Sequence, residues 1–217
     1  MNESNKNLKN QVAFWQQYYA GAIHGDCELV DKPSPFAEWV RLRMEEDNPE
    51  DAHLSLLEVG CGNGRDAVYF ARSGIKVIAT DCCPQAVHLT TEKLPEGSRA
   101  EVACAGGLPN EFVDYAYARF VLHSMDESEQ EYLLNWIKIH VRKSFYIETR
   151  SVHDPRCGKG TLVGANAFVD THYRRFMSTT DLNVAASEAL LQLAYCTEVP
   201  SGSGTDGAVV IRAELKP

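Results

Sequence analysis

From His53 onward the chain alternates between two hydrophobic patterns. The short apolar runs LSLLEV, KVIAT, AEVACA, DYAYARFVL and SFYIE read as strands. Between them stand RDAVYFARS, PQAVHLTTEKL and DESEQEYLLNWIKIHVRK, which read as helices. Gly74 suits the C-terminal cap of the first helix, and Pro84 the first turn of the second. On the third, Leu133, Leu134, Ile137 and Val141 share a face. Asp126 can cap it with Glu129 three residues on, and Arg142 and Lys143 complete its last turn. Another helix, STTDLNVAASEALLQLA, capped by Ser178 or Thr179, precedes two final strands, YCTEV and AVVIRAEL, around the loop SGSGTDG. Two more helices are expected before residue 50, around NQVAFWQQYYA and SPFAEWVRLRM.

Strands alternating with helices over short connections imply right-handed crossovers and a mainly parallel sheet covered on both faces. The last two strands are joined too closely for a crossover helix, so they should pair antiparallel. The expectation is one α/β domain over residues 1–217, with a helical N-terminal segment over 1–50 and the core over 51–217.

Composition narrows the function. The formal net charge is -9, which disfavours general binding to nucleic acid phosphates. No apolar run is long enough for a bilayer, and the polar start MNESNKNLKNQ lacks a signal-peptide core, so a cytoplasmic protein without a membrane partner is expected. The 7 cysteines are odd in number and form no CxxC, which favours reduced thiols over disulfides or zinc. No His, Cys and carboxylate set has metal-ligand spacing.

The chemistry concentrates in LLEVGCGNGRD, residues 56–66. Gly60, Gly62 and Gly64 stand where the first strand turns into a helix, on the side of a parallel sheet where ligands bind. Glycine there permits a sharp turn and close approach of a ligand to the main chain, and the following helix aims unpaired N–H groups at the loop. Asp81 ends the next strand, about 20 residues on, where an acid can accept hydrogen bonds from ribose hydroxyls. Loop and acid together imply a nucleoside-bearing cofactor. The pattern is GxGxG, with Arg65 where a dinucleotide fold has its third glycine, and no GK[ST] is present.

This stretch, with Glu58 two residues before the loop, resembles the first motif of class I S-adenosylmethionine-dependent methyltransferases. The resemblance implies a Rossmann-like seven-stranded, mostly parallel sheet with an antiparallel C-terminal hairpin, and S-adenosyl-L-methionine as cofactor. It implies cofactor contacts from Glu58, Gly60, Gly62, Asn63, Gly64, Asp81, Cys82 and Arg119, with Cys82 against adenine. Many members carry an acid after the third strand for the adenine amino group. Here that stretch reads ACAGGLPNEF, so backbone groups of Gly106 to Leu108 are expected instead.

For the methyl acceptor, His123 and Glu148 follow or end strands on the ligand side and are candidate catalytic groups. Arg150, Tyr173 and the adjacent Arg174 and Arg175 are candidates for binding an anionic group, although alternation makes it improbable that both arginines point inward. The segment from Ser151 to Phe176 is unusually long for a strand-to-helix connection, as functional loops often are. The resemblance implies that the helical segment over 1–50 is an N-terminal lid, where Phe14, Trp15, Tyr18 and Tyr19 suit a sulfonium, with Tyr18 and Tyr19 as acceptor contacts, and Ser34 and Phe36 mark a second lid piece. The expected activity is methylation of nitrogen or oxygen on a small anionic or zwitterionic metabolite. The alternatives are a methyltransferase acting on protein or tRNA, and a non-catalytic cofactor-binding subunit. A nicotinamide-dependent oxidoreductase is disfavoured by the missing third glycine.

Overall fold

The computed structural model describes residues 3–24, 29–48, 53–202 and 207–217. Cys27 and most of the SGSGTDG loop lie outside them. Helices α1 (Glu3–Ile23) and α2 (Pro35–Asp47) precede the alternating core: β1 (Ser55–Val59), α3 (Arg65–Arg72), β2 (Lys76–Asp81), α4 (Pro84–Thr91), β3 (Arg99–Val102) and β4 (Val113–Arg119). Then come α5 (Glu127–His140), β5 (Val141–Arg150), β6 (Thr161–Gly164), β7 (Ala167–Val169), β8 (Tyr173–Arg175), α6 (Thr179–Glu188), β9 (Gln192–Pro200) and β10 (Val209–Lys216).

The main sheet has seven strands in the order β3-β2-β1-β4-β5-β10-β9. The first five run parallel, and β10 lies antiparallel between β5 and β9. The chain starts mid-sheet at β1, winds out to β3, and returns to β4 on the other side. That reversal opens a crevice beyond the carboxyl ends of β1 and β4.

Alternation along the strands sorts two cores. Tyr115, Tyr117, Tyr146 and Leu56 pack with Phe36, Val40 and Met44 of α2 and Phe70 of α3. Their sequence neighbours Ala116, Ala118, Phe145, Ile147 and Leu57 pack with Leu133 and Ile137 of α5 and Leu182 of α6 on the opposite face. The α2 helix is therefore part of the core. Ser34 caps it, and Phe36 is fully buried, stacked on Trp39 and Tyr117. Neither residue is a lid piece.

Two expectations are corrected. The α5 helix stops at His140, and Val141 pairs with Val113 of β4. Arg142 and Lys143 thus belong to a ten-residue β5, because pairing with β4 recruits β-branched Val141 more strongly than its helical spacing does. The segment after Ser151 is not an open loop. It folds into a three-stranded antiparallel sheet, β6-β7-β8, with the turn residue Asn166 at φ 51°.

Candidate active site

The glycine loop is pinned from several directions. Gly60 N and Cys61 N donate to Thr80 O, at 2.7 and 2.9 Å, and Gly64 N donates to Cys61 O. From α4, the hydroxyl of Thr90 donates to Gly62 O at 3.0 Å. Asp81 ties the loop to the end of β2, its carboxylate accepting from Gly62 N at 3.0 Å and Cys83 N at 2.9 Å. Burial raises its pKa, and those N–H donors pull it back. Asn63 donates to Val30 O at 3.0 Å and to Asp31, joining the loop to the segment before α2.

Close approach explains all three glycines, and a Cβ on Gly64 would meet Thr90 Oγ1 at 2.8 Å. A Cβ on Gly60 would meet Val121 Cγ2 at 2.3 Å, and one on Gly62 would meet the Tyr19 hydroxyl at 2.6 Å. Tyr19 therefore brings α1 directly onto the loop. Burial, with Asp81 and Cys61 nearby, pushes its phenol well above the usual range. Further along α1, Gln11 Nε2 donates to Tyr173 O of β8 at 2.8 Å and to Ser124 O at 3.4 Å. His172 completes the junction, packed on Phe14 at 4.3 Å and Trp15 at 5.3 Å between ring centroids. Helix α1 and the small sheet thus close over the crevice together. Tyr18 is 41% exposed and does not line it.

Under this cover lies a cavity of about 250 Å³. Glu58, Gly60, Gly62, Asn63, Asp81, Cys82 and Arg119 all line it. Glu58 is buried, and its Oε2 has no hydrogen-bond partner. Burial, reinforced by the Asp66 and Asp81 carboxylates, raises its pKa well above the usual range. Cys82 and Cys104 face each other at the other end. Their mutual hydrogen bond, together with burial, holds the Cys82 thiol above its usual range. The backbone of Gly106 to Leu108 does not line the cavity. Gly106 and Gly107 sit in an exposed 3-10 turn, with Gly107 N bonded to Cys104 O.

The exit of β4 carries the strain. Phe120 has φ 54°, rare for a bulky residue. Its N–H donates to Glu148 O at 2.8 Å. The guanidinium carbons of Arg119 and Arg150 stand 4.5 and 5.2 Å from its ring centroid. Glu148, fully buried, accepts from Arg119 Nε at 3.0 Å and Arg212 Nε at 2.8 Å. Both oxygens are engaged in orienting arginines, so the expectation of Glu148 as a proton acceptor does not suit its position. His123 is also buried, edge-on to Phe120 at 5.7 Å. Burial, with Arg150, His172, Arg174 and Arg119 around it, holds its pKa well below the usual value.

The adjacent arginines of β8 part company. Arg174 is buried and paired with Asp170, close to His172. Arg150 pairs with Asp154 at 2.7 Å. Arg175 bonds Gln130 and lines a separate groove of about 700 Å³ between α5 and α6, which contains none of the glycine-loop residues. Tyr173 is buried toward the first turn of α5 and lines neither space.

A pinned triple-glycine loop, an acid at the end of β2 and a covered crevice at the strand-order reversal define a nucleoside-cofactor site on a doubly wound sheet. Residues 57–140 match the family model of a methyltransferase domain. Solved structures share the fold. The 1,6-didemethyltoxoflavin-N1-methyltransferase of Burkholderia thailandensis, with 1,6-didemethyltoxoflavin and S-adenosylhomocysteine bound, aligns at TM-score 0.73 and 16% identity, over 100% of this chain and 91% of that one. An S-adenosylmethionine-dependent methyltransferase from Mesorhizobium loti gives 0.65 and 15%, over 83% and 98%. The magnesium protoporphyrin IX methyltransferase of Synechocystis, with S-adenosylmethionine bound, gives 0.60 and 13%, over 100% and 84%. No curated protein matches by sequence. Residues 57–140 are thus a methyltransferase domain, on a fold shared with S-adenosylmethionine-dependent methyltransferases, and that domain implies S-adenosylmethionine as its cofactor.

The cavity fits that cofactor. The unpartnered Glu58 Oε2 suits an ammonium group, and the glycine loop leaves the main chain bare where a Cβ would intrude. Asp81 and Cys82 line the same cavity, a carboxylate suited to accept from hydroxyl groups and a thiol next to it. When bound, S-adenosylmethionine supplies a methyl group on a sulfonium leaving group. Phe120, Cys104 and Glu129 also line the cavity and escaped the sequence reading. Only Phe120 had a local signal, its place between Arg119 and His123.

Among the described residues no helix is long and apolar enough to cross a membrane. Neither does any group of three or more His, Cys, Asp and Glu there suit a metal ion.

Proposed function

We propose that this methyltransferase modifies nitrogen or oxygen of a small anionic or zwitterionic metabolite. The observation that carries the reading is the cluster of Arg150, Arg156 and Arg174 around His123 and His172, beside the covered cavity. Burial, aided by those guanidiniums, depresses His172 to about 4 and His123 well below the usual value. Arg150 and Arg174 are paired with Asp154 and Asp170, but a guanidinium carries five N–H donors, which suits it to take a carboxylate or phosphate of the acceptor as well. The cover formed by α1 and the small sheet favours a small acceptor. So does the Burkholderia thailandensis neighbour, which is named for N1-methylation of 1,6-didemethyltoxoflavin.

With Glu148 occupied by two arginines and His123 held neutral, the chain's own contribution is orientation and exclusion of water. Arg174 and Arg150 hold the acceptor's anionic group, and Phe120 fixes where the arginines stand. We place the activity in the cytoplasm, where the six free thiols of the described residues remain reduced. The net charge of -9 speaks against a nucleic acid acceptor.

The test is a screen of anionic acceptors for S-adenosylhomocysteine release, followed by kinetics of Arg174→Ala and Arg175→Ala. Arg174→Ala should raise acceptor KM by about tenfold or more, the loss of a charge-assisted hydrogen bond, while Arg175→Ala leaves it unchanged. An uncharged acceptor turned over equally well by wild type and Arg174→Ala sinks the proposal.

A further inference from the structure

The end of the cavity beyond Asp81 is walled by Cys82, Cys104, Ala105, Met125 and Glu129. Its thiols are weak hydrogen-bonding groups. Glu129 brings a carboxylate to that wall from the first turn of α5. One oxygen is committed: Glu129 Oε2 accepts from Asp126 N at 2.9 Å in a reciprocal cap, while Asp126 accepts from Glu129 N at 3.0 Å. The cap restrains the carboxylate through Oε2 and leaves Oε1 outside it, on a residue that lines the cavity. The helix packs on the 3-10 turn Ala105–Gly107, so the cap, the turn and the thiols form one rigid wall.

We infer that Glu129 is a specificity-determining residue that accepts a hydrogen bond from the exocyclic amino group of the cofactor's base. A nucleobase seated beyond a ribose at Asp81 would present its edge to this wall. An amino group there donates to a carboxylate. A 6-oxo group would bring two acceptors face to face, and a site built around a polar group rejects the mismatched analogue strongly.

The chemistry of Glu129→Gln makes the inference testable. The amide oxygen can keep the cap by accepting from Asp126 N, which points the NH₂ group into the cavity as a donor. The preference should then turn toward the 6-oxo base.

Isothermal titration with S-adenosylhomocysteine and its inosyl analogue reads this without turnover. Wild type should favour the adenosyl ligand by at least about tenfold, and Glu129→Gln should shrink that ratio about tenfold or reverse it. Glu129→Ala should weaken the adenosyl ligand and leave the inosyl ligand nearly unchanged. The two-ligand ratio within one variant is insensitive to partial unfolding, so a folding defect cannot imitate the result. An adenosyl-to-inosyl ratio that is the same in all three proteins, or near one in wild type, overturns the inference.

Discussion

Seating α1 on the glycine loop predicts a measurable coupling between Gly62 and Tyr19. A methyl group at Gly62 meets two obstacles: the backbone sits at φ 56°, and the Tyr19 hydroxyl would lie 2.6 Å away. The left-handed backbone costs about 1–2 kcal/mol for an L residue. Overpacking against the hydroxyl adds about 1–3 kcal/mol. Gly62→Ala should therefore destabilise by roughly 2–5 kcal/mol. Tyr19→Phe removes the offending oxygen, and the nearest remaining ring atom lies 3.5 Å away, an ordinary contact. In that background Gly62→Ala should cost only the backbone share, about 1–2 kcal/mol. Gly74 supplies the control: φ is 86°, with nothing within 4 Å of a built Cβ, so Gly74→Ala reports the backbone share alone. Urea unfolding of the four proteins in the cycle, with Gly74→Ala alongside, gives the coupling directly. If Gly62→Ala costs the same with and without the Tyr19 hydroxyl, to within about 0.5 kcal/mol, α1 does not rest on the loop and the argument fails.

Glu148→Gln should leave Arg119 and Arg212 without their shared carboxylate and cost about 3 kcal/mol of stability, as breaking buried ion pairs does. A variant of unchanged stability that loses all turnover would instead favour a proton-transfer role. His172 should titrate near 4 by proton NMR of the folded protein, against about 6.5 when unfolded. Its folded pKa is the lower one, so the unfolded chain binds more protons between those values, and stability falls as pH drops from about 6.5 toward 4. His172→Gln should reduce that slope without abolishing it, since buried His123 adds to it in the same sense, and an unaltered slope would contradict the assignment.

The cofactor site was legible in eleven residues because LLEVGCGNGRD imposes local constraints that any fold must satisfy, and the reaction class followed from that stretch's resemblance to a known family motif. Three glycines fix the turn, the flanking run fixes the strand, and Asp81 follows at a distance set by one helix and one strand. Sheet class, helix order and the Asp126 cap were readable for the same reason, since alternation and capping act within a few residues. The small sheet β6-β7-β8 was not recognised. Its strands are three or four residues long, and they form only because they pair with one another.

Alternation along a strand foretold that Arg174 and Arg175 would part, but not which partner each would take. Arg174 and Arg175 are neighbours in the chain, and the strand turns one toward His172 and the other toward Gln130. Glu148 was a candidate catalytic group by its place at a strand end, and the fold puts Arg119 and Arg212 on its two oxygens. Glu129 was read as a helix cap, and only packing of α5 against the turn after β3 brings it to the cofactor cavity. Local sequence specifies which elements form and where the loop must turn. Which side chains share a cavity depends on contacts between residues tens of positions apart, and those exist only once the two cores have closed on the sheet.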